Sequence, residues 1–69
     1  MKLREFNFNS LKRRGQLVGL SVRMGDGPWY EKGGIGETLR ALPLNFADAT
    51  IKETRWFCNV FVIELEENK

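Results

Sequence analysis

The chain has 69 residues, of which 42% are hydrophobic and 29% are charged, and its formal net charge is +2. This composition predicts one small globular domain over residues 1–69 and argues against an intrinsically disordered chain. One cysteine and no histidine exclude an intrachain disulfide, a zinc site and a cysteine–histidine nucleophile. No apolar segment is long enough for a signal peptide or a membrane span, so we expect a cytoplasmic protein.

The residue types that carry most enzyme chemistry are missing. Without histidine the chain lacks the most frequent general base, and Ser10 and Ser21 lie outside any nucleophile-elbow sequence. The glycine-rich stretch 33–36 precedes a predicted helix, but no Gly-Lys-Ser/Thr follows it, so a connecting loop is favoured over a phosphate-binding loop. We therefore expect a non-catalytic protein, without a metal or a cofactor, that works by binding.

In chain order, the first predicted element is a strand over Leu3–Phe8. A second strand is predicted over Gln16–Met24, because apolar residues recur there at every second position. The two strands are expected to form a hairpin, with the polar residues between them at its tip. The stretch Gly25–Pro28 then predicts a turn, since glycine tolerates a positive φ and proline fixes its own. Trp29–Glu31 is compatible with a short third strand.

A short helix is predicted over Glu37–Leu42, where helix-forming residues dominate. Ile35, Leu39 and Leu42 are spaced so that they share one face of this helix. Pro43 either kinks the helix or ends it and begins a second short helix.

The stretch Thr54–Leu65 is the most apolar part of the chain, and its β-branched and aromatic residues predict one long strand. Because both of its faces are apolar, we expect this strand at the centre of the sheet, with Trp56 and Cys58 in the core. Residues 66–69 are expected to form a frayed tail. Strict alternation assigns Trp56, Cys58, Val60 and Val62 to one face, and Phe57, Phe61, Ile63 and Leu65 to the other.

These elements predict an α+β fold. A small, largely antiparallel sheet of three to four strands would carry one short helix packed on one face, with the long C-terminal strand central. The second face of the sheet has no evident cover among the predicted elements. Either the loops fold over that face or it contacts a partner.

Basic residues are concentrated near the N-terminus. Lys12, Arg13 and Arg14 would lie at the tip of the expected hairpin, where they can contact phosphates, and Lys2 and Arg4 would widen the patch. Three solvated loop residues are the simpler interpretation, because no base-reading motif accompanies them.

Two aromatic residues follow the predicted turn. Trp29 and Tyr30 have no periodic apolar context, so exposure and burial are equally compatible with the sequence. An exposed aromatic side chain can anchor a protein interface. Together with Arg23, they are the candidate partner-binding residues.

The leading hypothesis is a small cytoplasmic regulator, adaptor or inhibitor that docks on a partner protein. Many phage and mobile-element accessory proteins are this small, a comparison that rests on size alone. One alternative is a nucleic-acid-binding protein that uses the basic N-terminal hairpin. The other is a homodimer, in which a second copy covers the open sheet face or pairs with an edge strand.

Overall fold

The structure is a computed structural model that describes residues 1–11 and 18–67. In chain order, its elements are the 3₁₀ helices Leu3–Glu5 and Phe8–Leu11, strand β1 (Gly19–Met24), helix α1 (Ile35–Ala41), the 3₁₀ helix Leu44–Asp48, and strands β2 (Ile51–Phe57) and β3 (Val60–Leu65).

The described strands form one three-stranded sheet in the order β1-β3-β2. The central strand β3 runs parallel to β1 and antiparallel to β2. The α+β class and the single α-helix were therefore predicted correctly. The sheet, however, is mixed rather than largely antiparallel, because β3 pairs with β1 after a long connection that contains α1.

The stretch Thr54–Leu65 is not one strand, and this is the main correction to the sequence prediction. It belongs to β2 and β3, which form a hairpin closed by the pair Phe57–Val60 and a turn at Cys58 and Asn59. Cys58 adopts a φ of 55°, in the left-handed region, and is exposed rather than buried in the core.

The turn also changes which side chains share a face. Directly opposite residues in an antiparallel pair point to the same side of the sheet. Trp56 lies opposite Phe61, and Phe57 lies opposite Val60. Trp56 therefore shares a face with Phe61, and Phe57 shares a face with Val60, which reverses the faces predicted for Trp56 and Phe57. Trp56 was expected in the core, but it is 39% exposed.

The predicted strand over Leu3–Phe8, and with it the N-terminal hairpin, is wrong. The segment instead forms the first 3₁₀ helix and leads into the second. Local side-chain hydrogen bonds favour this winding: the Asn9 N–H donates to Asn7 Oδ1 at 3.1 Å, and Ser10 Oγ donates to the Asn7 carbonyl at 2.7 Å.

The predicted second strand is present in part. It is β1, which begins at Gly19, and the predicted residues Gln16 and Leu17 lie outside the residues that the structure describes. The predicted helix is present as α1, and the turn after β1 has a φ of 56° at Gly25.

The short third strand is reduced to a single bridge between Tyr30 and Val22. After α1, a second short helix follows as expected. It is the 3₁₀ helix Leu44–Asp48, and Pro43 is its N-cap rather than its first residue.

The hydrophobic core lies on one face of the sheet. The predicted helix stripe Ile35, Leu39 and Leu42 is partly buried against it, and the 3₁₀ helices contribute further apolar side chains. Burial is most complete on the core side of β1 and of the central strand β3. The most deeply buried strand residues are Leu20, Val22, Ile63 and Leu65, each at most 1% exposed.

Helix α1 is attached to β1 through one buried hydroxyl. Thr38 is 0% exposed, and its Oγ1 donates to the Leu20 carbonyl at 3.3 Å. The same oxygen accepts a hydrogen bond from the Lys32 N–H at 3.0 Å. One side chain thus satisfies two backbone groups where the helix meets the sheet.

We expect Thr38→Val to lower the free energy of unfolding by about 1–3 kcal/mol, because it leaves two backbone polar groups without a partner. Urea unfolding followed by circular dichroism measures this change. The matched control is Thr54→Val at an exposed position in β2, for which the change should stay within about 0.5 kcal/mol. Equal effects of the two substitutions would contradict this role of Thr38.

Candidate functional site: the open face of the sheet

The face of the sheet opposite the core, here called the open face because no described helix packs on it, carries the candidate site. Residues 29–33 lie over its β1 side, so that Ser21 and Val62 are only 6% and 8% exposed. The apolar residues of α1 and of the 3₁₀ helices that pack on the sheet belong to the core on the other side. Three cross-strand rows make up the open face: Gly19, Val60 and Phe57; Ser21, Val62 and Arg55; Arg23, Glu64 and Glu53.

A shallow cleft of about 450 Å³ crosses the first two rows. Its floor is aliphatic, because Val60 and Val62 come from the central strand. Phe57 and Arg55 of β2 lie on one side of it. The full lining is Ser21, Trp29, Glu31, Arg55, Phe57, Val60 and Val62.

Two aromatic side chains flank the aliphatic floor. Phe57 is 71% exposed and Trp29 is 41% exposed. The guanidinium carbon of Arg23 lies 4.5 Å from the centroid of the Trp29 ring, a cation–π contact that restrains the indole. Phe57 is placed by the hairpin turn that follows it directly.

Trp29 and Tyr30, the two aromatic residues predicted to bind a partner, point to opposite sides of the sheet, because successive side chains of the extended stretch 29–31 alternate in direction. Tyr30 pairs with Val22 through two backbone hydrogen bonds, and its ring meets Phe46 edge-on at 5.3 Å, on the core side. Trp29 and Glu31 line the cleft instead. Tyr30 is half-buried, so much of its aromatic surface is used within the protein.

Three charged residues form a ladder across the strands of the open face. Glu64 of β3 is hydrogen-bonded to Arg23 of β1, and Arg55 Nη1 of β2 donates to Glu64 Oε2 at 2.8 Å. These partners, Arg55 first and then Arg23, lower the pKa of Glu64 from its ordinary value of 4.5 to about 2. The carboxylate therefore holds both guanidinium groups in place.

The cleft has opposite charges at its two sides. Ser21 Oγ donates to Glu31 Oε2 at 2.8 Å, which positions this carboxylate beside β1. Arg55 lies on the β2 side, where it also approaches Glu53 Oε2 at 3.7 Å. An apolar groove with an acidic group at one side and a basic group at the other can orient a ligand as well as bind it.

The structure brings together only part of the site predicted from the sequence. Arg23 and Trp29 meet on the open face, and Tyr30 does not join them there. Phe57, Arg55 and Glu31 also line this face, and none of the three was predicted from the sequence as a site residue. The signal that identifies Phe57 is the turn at residues 58–59, because that turn decides which face each residue of β2 occupies.

The candidate nucleic-acid residues are not assembled into a described site. Lys12, Arg13 and Arg14 lie outside the residues that the structure describes. Lys2 is exposed, and Arg4 Nη1 forms an exposed ion pair with Asp48 Oδ1 at 2.8 Å. Their role in binding nucleic acid stays a prediction.

No family model, curated protein or solved structure matches the chain. Within residues 1–11 and 18–67, no helix has the length and apolar character needed to cross a membrane. The same ranges contain no group of three or more acidic or cysteine side chains arranged to hold a metal ion.

We expect the free energy of unfolding to decrease as the pH falls from about 4.5 towards about 2, because Glu64 then becomes protonated and releases its two arginines. Because the pKa of Glu64 is lower in the folded state than in the unfolded state, its stabilising contribution is fully present above pH 4.5. The contribution is lost as the pH falls through the pKa of the folded state, about 2. Urea unfolding at several pH values measures it.

Glu64→Gln should flatten this part of the pH profile, since the amide does not titrate. Glu66→Gln is the matched control, because it removes an exposed carboxylate just beyond the same strand and should keep the wild-type decrease. A Glu64→Gln profile parallel to that of the wild type would show that the ladder does not stabilise the fold.

Proposed function

We propose that the protein is a non-catalytic binding protein that docks on a partner protein through the open face, as a regulator, adaptor or inhibitor. One observation carries the proposal: Trp29 and Phe57, 41% and 71% exposed, flank an aliphatic floor on a sheet face that no described helix covers. Large exposed aromatic residues beside an apolar cleft are typical of interface anchors.

The cleft is arranged before any partner arrives, which supports tight binding. Trp29 is stacked on Arg23, which is itself held by Glu64. Phe57 closes a hairpin, so its backbone is fixed. Restrained side chains lose little conformational entropy when they are buried, and more of the contact energy remains for affinity.

The charges around the cleft define the chemistry of the partner. Glu31 and Arg55 lie on its two sides, and Val60 and Val62 lie between them. The complementary surface presents an apolar side chain with a basic group on one side and an acidic group on the other. The proposal includes a cytoplasmic location, which the free, exposed thiol of Cys58 supports because such a thiol is more stable under reducing conditions.

We expect Phe57→Ala to weaken partner binding by at least about 10-fold, the loss typical of an anchor residue. Immobilised protein is used to capture binding partners from a lysate of the source cells, and the affinity of the purified partner is then measured by calorimetry. Leu44→Ala is the matched control, because Leu44 is 96% exposed and lies away from the cleft.

Support for the proposal requires one stoichiometric protein that is retained by the wild type and by Leu44→Ala but is lost with Phe57→Ala. The unfolding midpoint of each variant is measured alongside to exclude misfolding. Equal binding to Phe57→Ala and to the wild type would contradict docking through the cleft. Retention that disappears after nuclease treatment, and that depends on Lys12, Arg13 and Arg14, would favour the nucleic-acid alternative.

A further inference from the structure

The two edges of the sheet differ in how far the described residues occupy them. The edge of β1 is partly occupied, since Val22 pairs with Tyr30 and the Leu20 carbonyl accepts from Thr38. On β2, the Ile51 N–H donates to the Met1 carbonyl at 2.8 Å. From residue 52 to the turn every residue is exposed, and no described residue forms a strand ladder with the outer side of this stretch.

We propose that two copies of the chain pair antiparallel along β2, with Thr54 on the two-fold axis. The two three-stranded sheets would then join into one continuous sheet of six strands. This inference does not rest on the proposed docking function, because its argument is the edge of β2 and the charges along it, although Arg55 also lines the cleft.

The charges of β2 select this register. Directly opposite residues in an antiparallel pair share a face and interact, favourably for opposite charges and unfavourably for like charges. With Thr54 on the axis, Glu53 lies opposite Arg55 of the second copy, and symmetry provides this pair twice. Moving the axis by one residue in either direction would place Arg55 opposite Arg55, or Glu53 opposite Glu53.

The surroundings of Glu53 within one chain support the same pairing. Its directly opposite neighbour on β3 is Glu64, which has the same charge. Arg55 of the same chain approaches Glu53 only to 3.7 Å and is already hydrogen-bonded to Glu64. Within its own sheet, Glu53 has no positively charged residue directly opposite it on β3. Arg55 of the second copy would provide one on the other side of β2.

Charged residues on an edge strand usually prevent pairing, so their order along the strand decides the outcome. In β2 an acidic and a basic residue stand at equal distances on either side of Thr54. A second copy in antiparallel orientation therefore meets complementary charges rather than like ones. The side chains of Glu53 and Arg55 remain 59% and 48% exposed, so they are accessible to it.

A charge-exchange experiment tests the register. Sedimentation equilibrium is measured for the wild type, Glu53→Arg, Arg55→Glu and an equimolar mixture of the two variants, at concentrations up to about 1 mM, the range of weak complexes. We expect the wild type to approach the mass of two chains and each variant alone to remain monomeric. The mixture should recover the dimer, because it restores both opposite-charge pairs.

Glu53→Arg is the cleaner variant, because the new cation lies opposite Glu64, which offsets the loss of the 3.7 Å contact between Glu53 and Arg55. Thermal unfolding of this variant tests whether a loss of dimer is explained by misfolding. A wild type that stays monomeric at about 1 mM, or a Glu53→Arg variant that dimerises as well as the wild type, would overturn the proposal.

Cross-linking provides a second readout in a Cys58→Ser background, which removes the exposed thiol. Thr54→Cys should form an intermolecular disulfide on mild oxidation, because a residue on the axis meets its own copy at a separation that a disulfide spans. Lys52→Cys is the control, since its two copies would lie roughly 14 Å apart along the strands. Cross-linking of Lys52→Cys as fast as Thr54→Cys would contradict the register.

Discussion

The two-residue turn at Cys58 and Asn59 is the constraint on which the rest of the structure depends. It reverses the most apolar stretch of the chain, so that β3 gains neighbours on both sides instead of continuing as one long strand. A left-handed backbone at a residue other than glycine costs about 1–3 kcal/mol. The pairing of β2 with β3 offsets this cost, and the same turn directs Phe57 away from the core.

The two faces of the sheet carry different types of side chain, apolar on the core side and partly charged on the open face. Aliphatic residues of β1 and β3 fill the core side, where α1 and the 3₁₀ helices exclude water. On the open face, Glu64 stands on the central strand with an arginine on each flank. That arrangement keeps the Glu64 carboxylate ionised in the middle of the sheet. It also holds the two arginine side chains in place beside the aromatic residues of the cleft.

Local pattern predicts some of these features and misses those that depend on pairing. The alternation of Gln16–Met24 and the apolar stripe before Pro43 correctly indicated β1 and α1. The strand at Leu3–Phe8 failed because the nearby Asn7 and Ser10 form hydrogen bonds within the 3₁₀ segment. Trp29 and Arg23 could be named from the sequence. Phe57, Arg55 and Glu31 could not, since their common face follows from the turn and from strand order.

The parallel pairing of β1 with β3 has a consequence for how the chain folds. Arg23 and Glu64, which meet in that pairing, are separated by 41 positions in sequence. The β2–β3 hairpin closes over two residues, so it can form early and locally, whereas β1 joins only after a long loop has closed. We therefore expect the addition of β1 to the hairpin to limit the rate of folding, and the same step completes the open face.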